Sequence, residues 1–149
     1  MLTGDKYDYQ TNSSFLDYEF ISSGNKGSIK KVARFNLIQD KLYNFGFGDL
    51  NEVTGEISDT TISNNGDGDK VLITVASIIY DFTESHIGVA VFIQGTTSSR
   101  TRRYQMGINQ HWIQLKPIFL IWGLINLKWE RFEIGKNYDA FIGFRTNTL

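Results

Sequence analysis

A chain of 149 residues with 41% hydrophobic and 14% aromatic side chains, 11 of them phenylalanine, can fill one substantial core, which excludes a disordered polymer. The absence of cysteine excludes disulfides, thiolate zinc sites and cysteine nucleophiles, and it fits a cytoplasmic protein. The net charge of −1 hides a polarity, because nine acidic residues face two basic ones over 38–87, while eight basic face three acidic over 88–149, a distribution able to steer an anion toward the second segment.

No stretch approaches the roughly 18 apolar residues of a spanning helix. The richest run, Ile118–Ile125, is far shorter, and the first residues lack the basic-then-apolar order of a signal peptide. An intracellular chain without membrane contact is therefore expected.

In chain order, residues 1–17 read as a polar N-terminal arm anchored by Tyr7, Tyr9, Phe15 and Leu16, and residues 18–149 as a single α+β domain. Strand pairing begins at Tyr18-Glu19-Phe20-Ile21. Ser23–Gly27 is a turn, since Gly and Asn tolerate positive φ. Ser28–Leu37 alternates imperfectly, predicting a strand with Lys31 and Arg34 near solvent. Leu42–Asp49 is the next strand, with Tyr43, Phe45 and Phe47 on one face and Asn44, Gly46 and Gly48 on the other. The glycine face suits close approach by a neighbouring segment.

A short strand is predicted around Ile57–Ile62. The breaker cluster Asn64–Asp69 lacks the ligand spacing of a calcium loop and serves to turn the chain, with Asp67 or Asp69 as helix N-cap. Val71, Val75, Ile78, Ile79 and Phe82 recur at helical spacing and predict a helix over 70–85, with His86 capping its end. Val89–Gln94 has the makeup of a buried strand, Gly95 opens a hydroxyl-rich turn, and a helix follows over about Ser99–Gln110. Pro117 marks a boundary before three closing strands, Phe119–Asn126, Trp129–Glu133 and Tyr138–Arg145. Strands bunched before and after the helices predict an α+β fold, a mainly antiparallel sheet with two helices packed against it.

Several pieces recur together: Tyr18-Glu19-Phe20, Lys26–Lys31, Tyr43–Asp49, Asn64–Asp67, Lys70-Val71-Leu72, Arg100–Tyr104 with Met106-Gly107-Ile108, and Gly135–Tyr138. In combination they resemble a family of small uncharacterised proteins from Bacteroidota, over roughly residues 18–145. The resemblance implies no activity.

The functional reading centres on Val89–Gly107. A strand feeding a glycine turn and a helix start presents backbone N–H groups to an anion. Arg100, Arg102 and Arg103 arrive at once, and three cations near a helix N-terminus oppose its dipole unless something negative joins them. Helical rotation lets Arg100, Arg103 and Tyr104 share a face. With Thr96, Thr97, Ser98 and Ser99 they compose an expected ligand-binding set.

Three functions compete. The first is a small intracellular binding module for a phosphate-bearing ligand, a nucleotide or RNA. The second is a metal-independent, toxin-like ribonuclease with His111 as general acid or base. The third is a protein-interaction subunit of a two-gene system, its arginines paired with the acidic segment 49–59. Asp49, Glu52, Glu56 and Asp59 match no metal template, and no metal or cofactor is implied. Trp112, Trp122 and Trp129 are expected in the core and at its rim.

Overall fold

The computed structural model describes residues 2–58 and 65–146. Among the described residues nine strands make one sheet. They are β1 (Gln10–Thr11), β2 (Asp17–Gly24), β3 (Gly27–Gln39), β4 (Leu42–Leu50), β5 (Ile57–Ser58), β6 (Ala90–Ile93), β7 (Phe119–Ile125), β8 (Lys128–Arg131) and β9 (Ala140–Arg145). Their order is β1-β2-β3-β4-β6-β9-β7-β8, with β5 on the end of β4. The helices are α1 (Gly68–Ser85), α2 (Ser98–Gln110) and the short α3 (Trp112–Leu115).

The architecture is α+β and mainly antiparallel, as the bunched strands predict. The exception is β4 with β6, which run parallel because α1 carries the chain back across the sheet between them.

Register decides which side chains the helices cover. Ala33 lies opposite Phe47 and Phe35 opposite Phe45, and Phe45 in turn lies opposite Ile93, itself opposite Phe141. All of these point to one face. There Tyr18, Phe20, Phe35, Phe45 and Val91 bury against Val75, Ile78 and Phe82 of α1, and Phe119, Ile121, Phe132 and Phe141 bury with Ile73 and Leu115. Each such side chain contributes about 1.5–3 kcal/mol relative to exposure.

The predicted helix over 70–85 is α1, two residues longer at its start. Its sides are buried almost all round because the N-terminal segment crosses its outer surface. Leu2 joins the core, the Tyr7 amide donates to Thr74 Oγ1, and the Tyr9 phenol donates to the Asp81 carboxylate. Burial and that carboxylate push the Tyr9 phenol above its ordinary pKa. Buried Thr74, Ser77 and Thr83 return their hydroxyls to carbonyls one turn back. His86 is the C-cap, its ring stacked on Phe82 at 4.3 Å.

Some local expectations change. Phe15 does not anchor the arm: it is exposed, at φ 58°, while Tyr7, Tyr9 and Leu16 pack on the core. Gln10 and Thr11 of the arm pair with β2. The glycine face of β4 is approached by β5: a Cβ on Gly48 would lie 2.5 Å from the Ser58 carbonyl oxygen, so only glycine lets the two strands meet there. The strand expected over 57–62 begins as β5, and its later residues, with Asp59 and Asn64, lie outside the described residues. Trp129 is exposed at the rim, whereas Trp112 packs against Phe132 at 4.9 Å. None of the described helices is long and apolar enough to cross a membrane.

Candidate functional site

The turn after β6 is held by its own hydroxyls. Thr97, in extended conformation, is the N-cap of α2 and its Oγ1 accepts from the Arg100 amide at 3.3 Å. Thr101 Oγ1 donates to the Thr97 carbonyl and accepts from the Gly95 amide at 3.0 Å. Gly95 has no room for a side chain, since a Cβ there would lie 2.5 Å from the Thr101 nitrogen. Thr96 Oγ1 accepts from Arg100 Nη1 at 2.9 Å, and the Ser99 hydroxyl lies 3.3 Å from that of Thr97.

Thr96, Thr97, Ser98 and Ser99 are exposed and do not belong to the walls of the cavity that Arg100 and Arg103 face. The hydroxyls of Thr96 and Thr97 are engaged in building the turn. What the turn does is aim α2.

Along α2, Arg100, Arg103 and Tyr104 face one cavity of about 340 Å³, as helical rotation predicts, and Arg102 lies off it. The opposite walls come from Lys31 of β3, from Phe47, Gly48 and Asp49 of β4, and from the start of α1 with Asp67, Asp69, Val71 and Leu72. Tyr104 closes the inner end, its ring edge-on to Phe45 at 6.0 Å. It also borders a second, smaller cavity of about 80 Å³ with apolar walls, and His111 lines that one. His111 Nε2 is buried there without a hydrogen-bond partner. The structure thus brings Arg100, Arg103 and Tyr104 together, and it sets His111 on the second cavity with Tyr104, away from the arginines.

Lys31 is the residue that the alternation of β3 misassigned to solvent. It is only 7% exposed, because it shares the helix-covered face with Ala33 and Phe35 and lies directly opposite Asp49, whose carboxylate it pairs with. Arg34, on the other face, is half-buried and paired with Asp17 at 3.0 Å. Glu52 pairs with Lys30 at 3.0 Å. The acids of the 49–56 segment that form described ion pairs therefore turn to lysines of β3. Among the described residues, none of Arg100, Arg102 and Arg103 has a carboxylate within salt-bridge distance. Arg100 Nε is buried and finds no acceptor. Buried donors are ordinarily hydrogen-bonded, to protein, to water or to an ion.

At the start of α1, Asp67 is the N-cap by position, but its side chain makes no capping bond. Tyr7 and Ser22 both donate their hydroxyls to Asp67 Oδ2 at 2.5 Å. Asn65 beside it is buried and clamps the β2–β3 hairpin, donating to the Gly27 carbonyl at 2.9 Å and accepting from the Lys26 amide at 2.5 Å. Asp69, in the first turn of α1 at the cavity wall, is exposed. No group of three or more histidine and carboxylate side chains among the described residues is arranged to hold a metal ion.

Sequence reasoning missed Lys31, Phe47, Asp67 and Asp69 as partners of the arginines. For Lys31 and Phe47 a signal exists in the two-residue period, which sets them on the same face as Phe35 and Phe45. For Asp67 and Asp69 there is none, since only the fold brings α1 beside α2.

Residues 3–146 match the model of a family described as a family of unknown function, DUF6934. No curated protein and no solved structure matches the chain.

Proposed function

Since the chain belongs to the family of unknown function DUF6934, which carries no activity over to its members, we propose from the geometry that it is a small binding module for a phosphate-bearing ligand, a nucleotide or RNA. The ligand occupies the cavity between α2, the start of α1 and strands β3 and β4. One observation carries the reading. Arg100 and Arg103 line the same cavity without a carboxylate partner among the described residues, and the Nε of Arg100 is buried with nothing to donate to. Guanidinium groups offer forked donors that match phosphate oxygens, while Lys31 on the same wall is already paired with Asp49. The reading includes a cytoplasmic protein of Bacteroidota, the setting that the sequence motifs and the lack of cysteine suggest.

Ribonuclease chemistry at the same place would need His111, which lines the inner apolar cavity instead. Binding is therefore preferred to cleavage. Arginines serving only as structural ion pairs would need carboxylates within salt-bridge distance, and among the described residues none lies so close.

Calorimetric titration of inorganic phosphate, nucleotides and a short RNA into the protein at two salt concentrations tests the proposal. Binding should weaken with salt and fall at least about tenfold in Arg100→Ala and in Arg103→Ala, the loss of one charge-assisted contact. Equal affinity in parent and variants, or no binding by the parent, overturns it.

A further inference from the structure

We infer that the ligand is a single free nucleotide, its phosphate held by Arg100 and Arg103 and its hydrogen-bond donors by Asp69, an inference that rests on the phosphate reading above. The cavity has two chemically different ends. A helix N-terminus ordinarily welcomes an anion, but the start of α1 already carries Asp67 at the N-cap and Asp69 in the first turn. A phosphate is repelled there and goes to the arginines of α2. The α1 end accepts hydrogen bonds instead.

Of its carboxylates, Asp67 receives the hydroxyls of Tyr7 and Ser22, and Asp49 is paired with Lys31. Asp69 is exposed at the cavity wall and makes no hydrogen bond or ion pair with a described residue. An ionised carboxylate only accepts, so the group it recognises must donate, as ribose hydroxyls and base N–H groups do. Phe47 and Tyr104 supply the aromatic part of the wall, which suits a flat base. A volume of about 340 Å³ lies near the lower limit for small-molecule sites, roughly 300 Å³, and leaves space for one nucleotide rather than a stacked chain. Inorganic phosphate would leave the aromatic wall and Asp69 unused, and a sugar phosphate would leave the aromatic wall unused.

The test is calorimetry on the full chain with inorganic phosphate, ribose 5-phosphate, the four nucleoside 5′-monophosphates and a 5′-phosphorylated trinucleotide. At least one monophosphate should bind about tenfold or more tighter than phosphate and ribose 5-phosphate, and tighter than the trinucleotide. Asp69→Asn, a change at an exposed position, should remove that margin and leave the affinity for inorganic phosphate the same or slightly higher. Arg103→Ala, also at an exposed position, should weaken every ligand. If phosphate binds in an arginine-dependent way and no monophosphate exceeds it, the nucleotide inference falls and the phosphate reading stands. If the trinucleotide binds best, or the monophosphate margin survives Asp69→Asn, the inference falls as well. If nothing binds, both fall.

Discussion

Lys31 and Asp49 face each other across β3 and β4, an ion pair set into the side of the sheet that the helices cover. Both line the cavity of Arg100 and Arg103, so the carboxylate opposes any anion entering it. Asp49→Asn should therefore raise the affinity for inorganic phosphate on the order of 3- to 10-fold, the effect of removing one like charge several ångströms away in a partly shielded site. It should cost about 1–3 kcal/mol of stability, the usual loss for a charge-assisted bond. Calorimetry and a denaturant melt on the same preparation check both signs. Weaker phosphate binding by the variant would contradict the electrostatic argument.

The ring of Phe82 lies on that of Phe35, with centroids 3.7 Å apart and planes 2° from parallel, and it is fully buried. Tyr43 and His86 close on its other sides. Phe82→Ala removes a side chain that nothing nearby can replace and should cost about 3–5 kcal/mol. For a chain of this size each kcal/mol moves the melting point by about 2–4 °C, so a fall on the order of 10 °C is expected. A melt coinciding with the parent's would remove α1 from the core.

Glu130 sits where Lys136 and Tyr138 both donate to its Oε2, at 2.9 and 2.8 Å. The Lys136 bond first, and the Tyr138 bond second, hold the carboxyl below its ordinary value of 4.5. A lowered carboxylate contributes stability that is fully present above its ordinary value and is lost as pH falls through the lowered one. Glu130→Gln should thus melt below the parent at neutral pH, with the gap closing as pH drops below about 4.5. The gap should be small and should shrink in high salt, because the group is open to solvent. Parallel melting curves from neutral to acid pH would show that the carboxylate does not contribute.

Local pattern made much of this fold readable. The spacing of Val71, Val75, Ile78 and Phe82 marks α1, and the alternation of Tyr43, Phe45 and Phe47 marks the covered face of β4, because both periods are properties of the backbone itself. The four residues of α3 are too few to show a period. Lys31 escapes the pattern because a charged side chain reads as solvent-facing on its own chemistry, while the partner that makes its burial tolerable lies on another strand. Asp67 caps α1 by position only, since its carboxylate answers Tyr7 and Ser22, 60 and 45 residues away. Arg100, Arg103 and Tyr104 could be grouped from helical rotation alone. The cavity they face could not, since its other walls come from segments far off in the chain.

Between β4 and β6 the sheet has a seam only four residue pairs long, from Leu42–Ala90 to Phe45–Ile93. One half of the molecule is hung on β1 to β5, the other on β6 to β9, and α1 fastens them by sending Phe82 into one and Ile73 into the other. Lys31, Phe47 and Asp49 belong to the first half and Arg100 and Arg103 to the second, so an occupant of the cavity acts as a rivet across that seam. At a hundredfold excess over its dissociation constant such a ligand adds about 2.7 kcal/mol. Hydrogen exchange should then slow together in β3, β4 and α2, on both sides of the join. Protection confined to α2 would mean that the halves are not riveted.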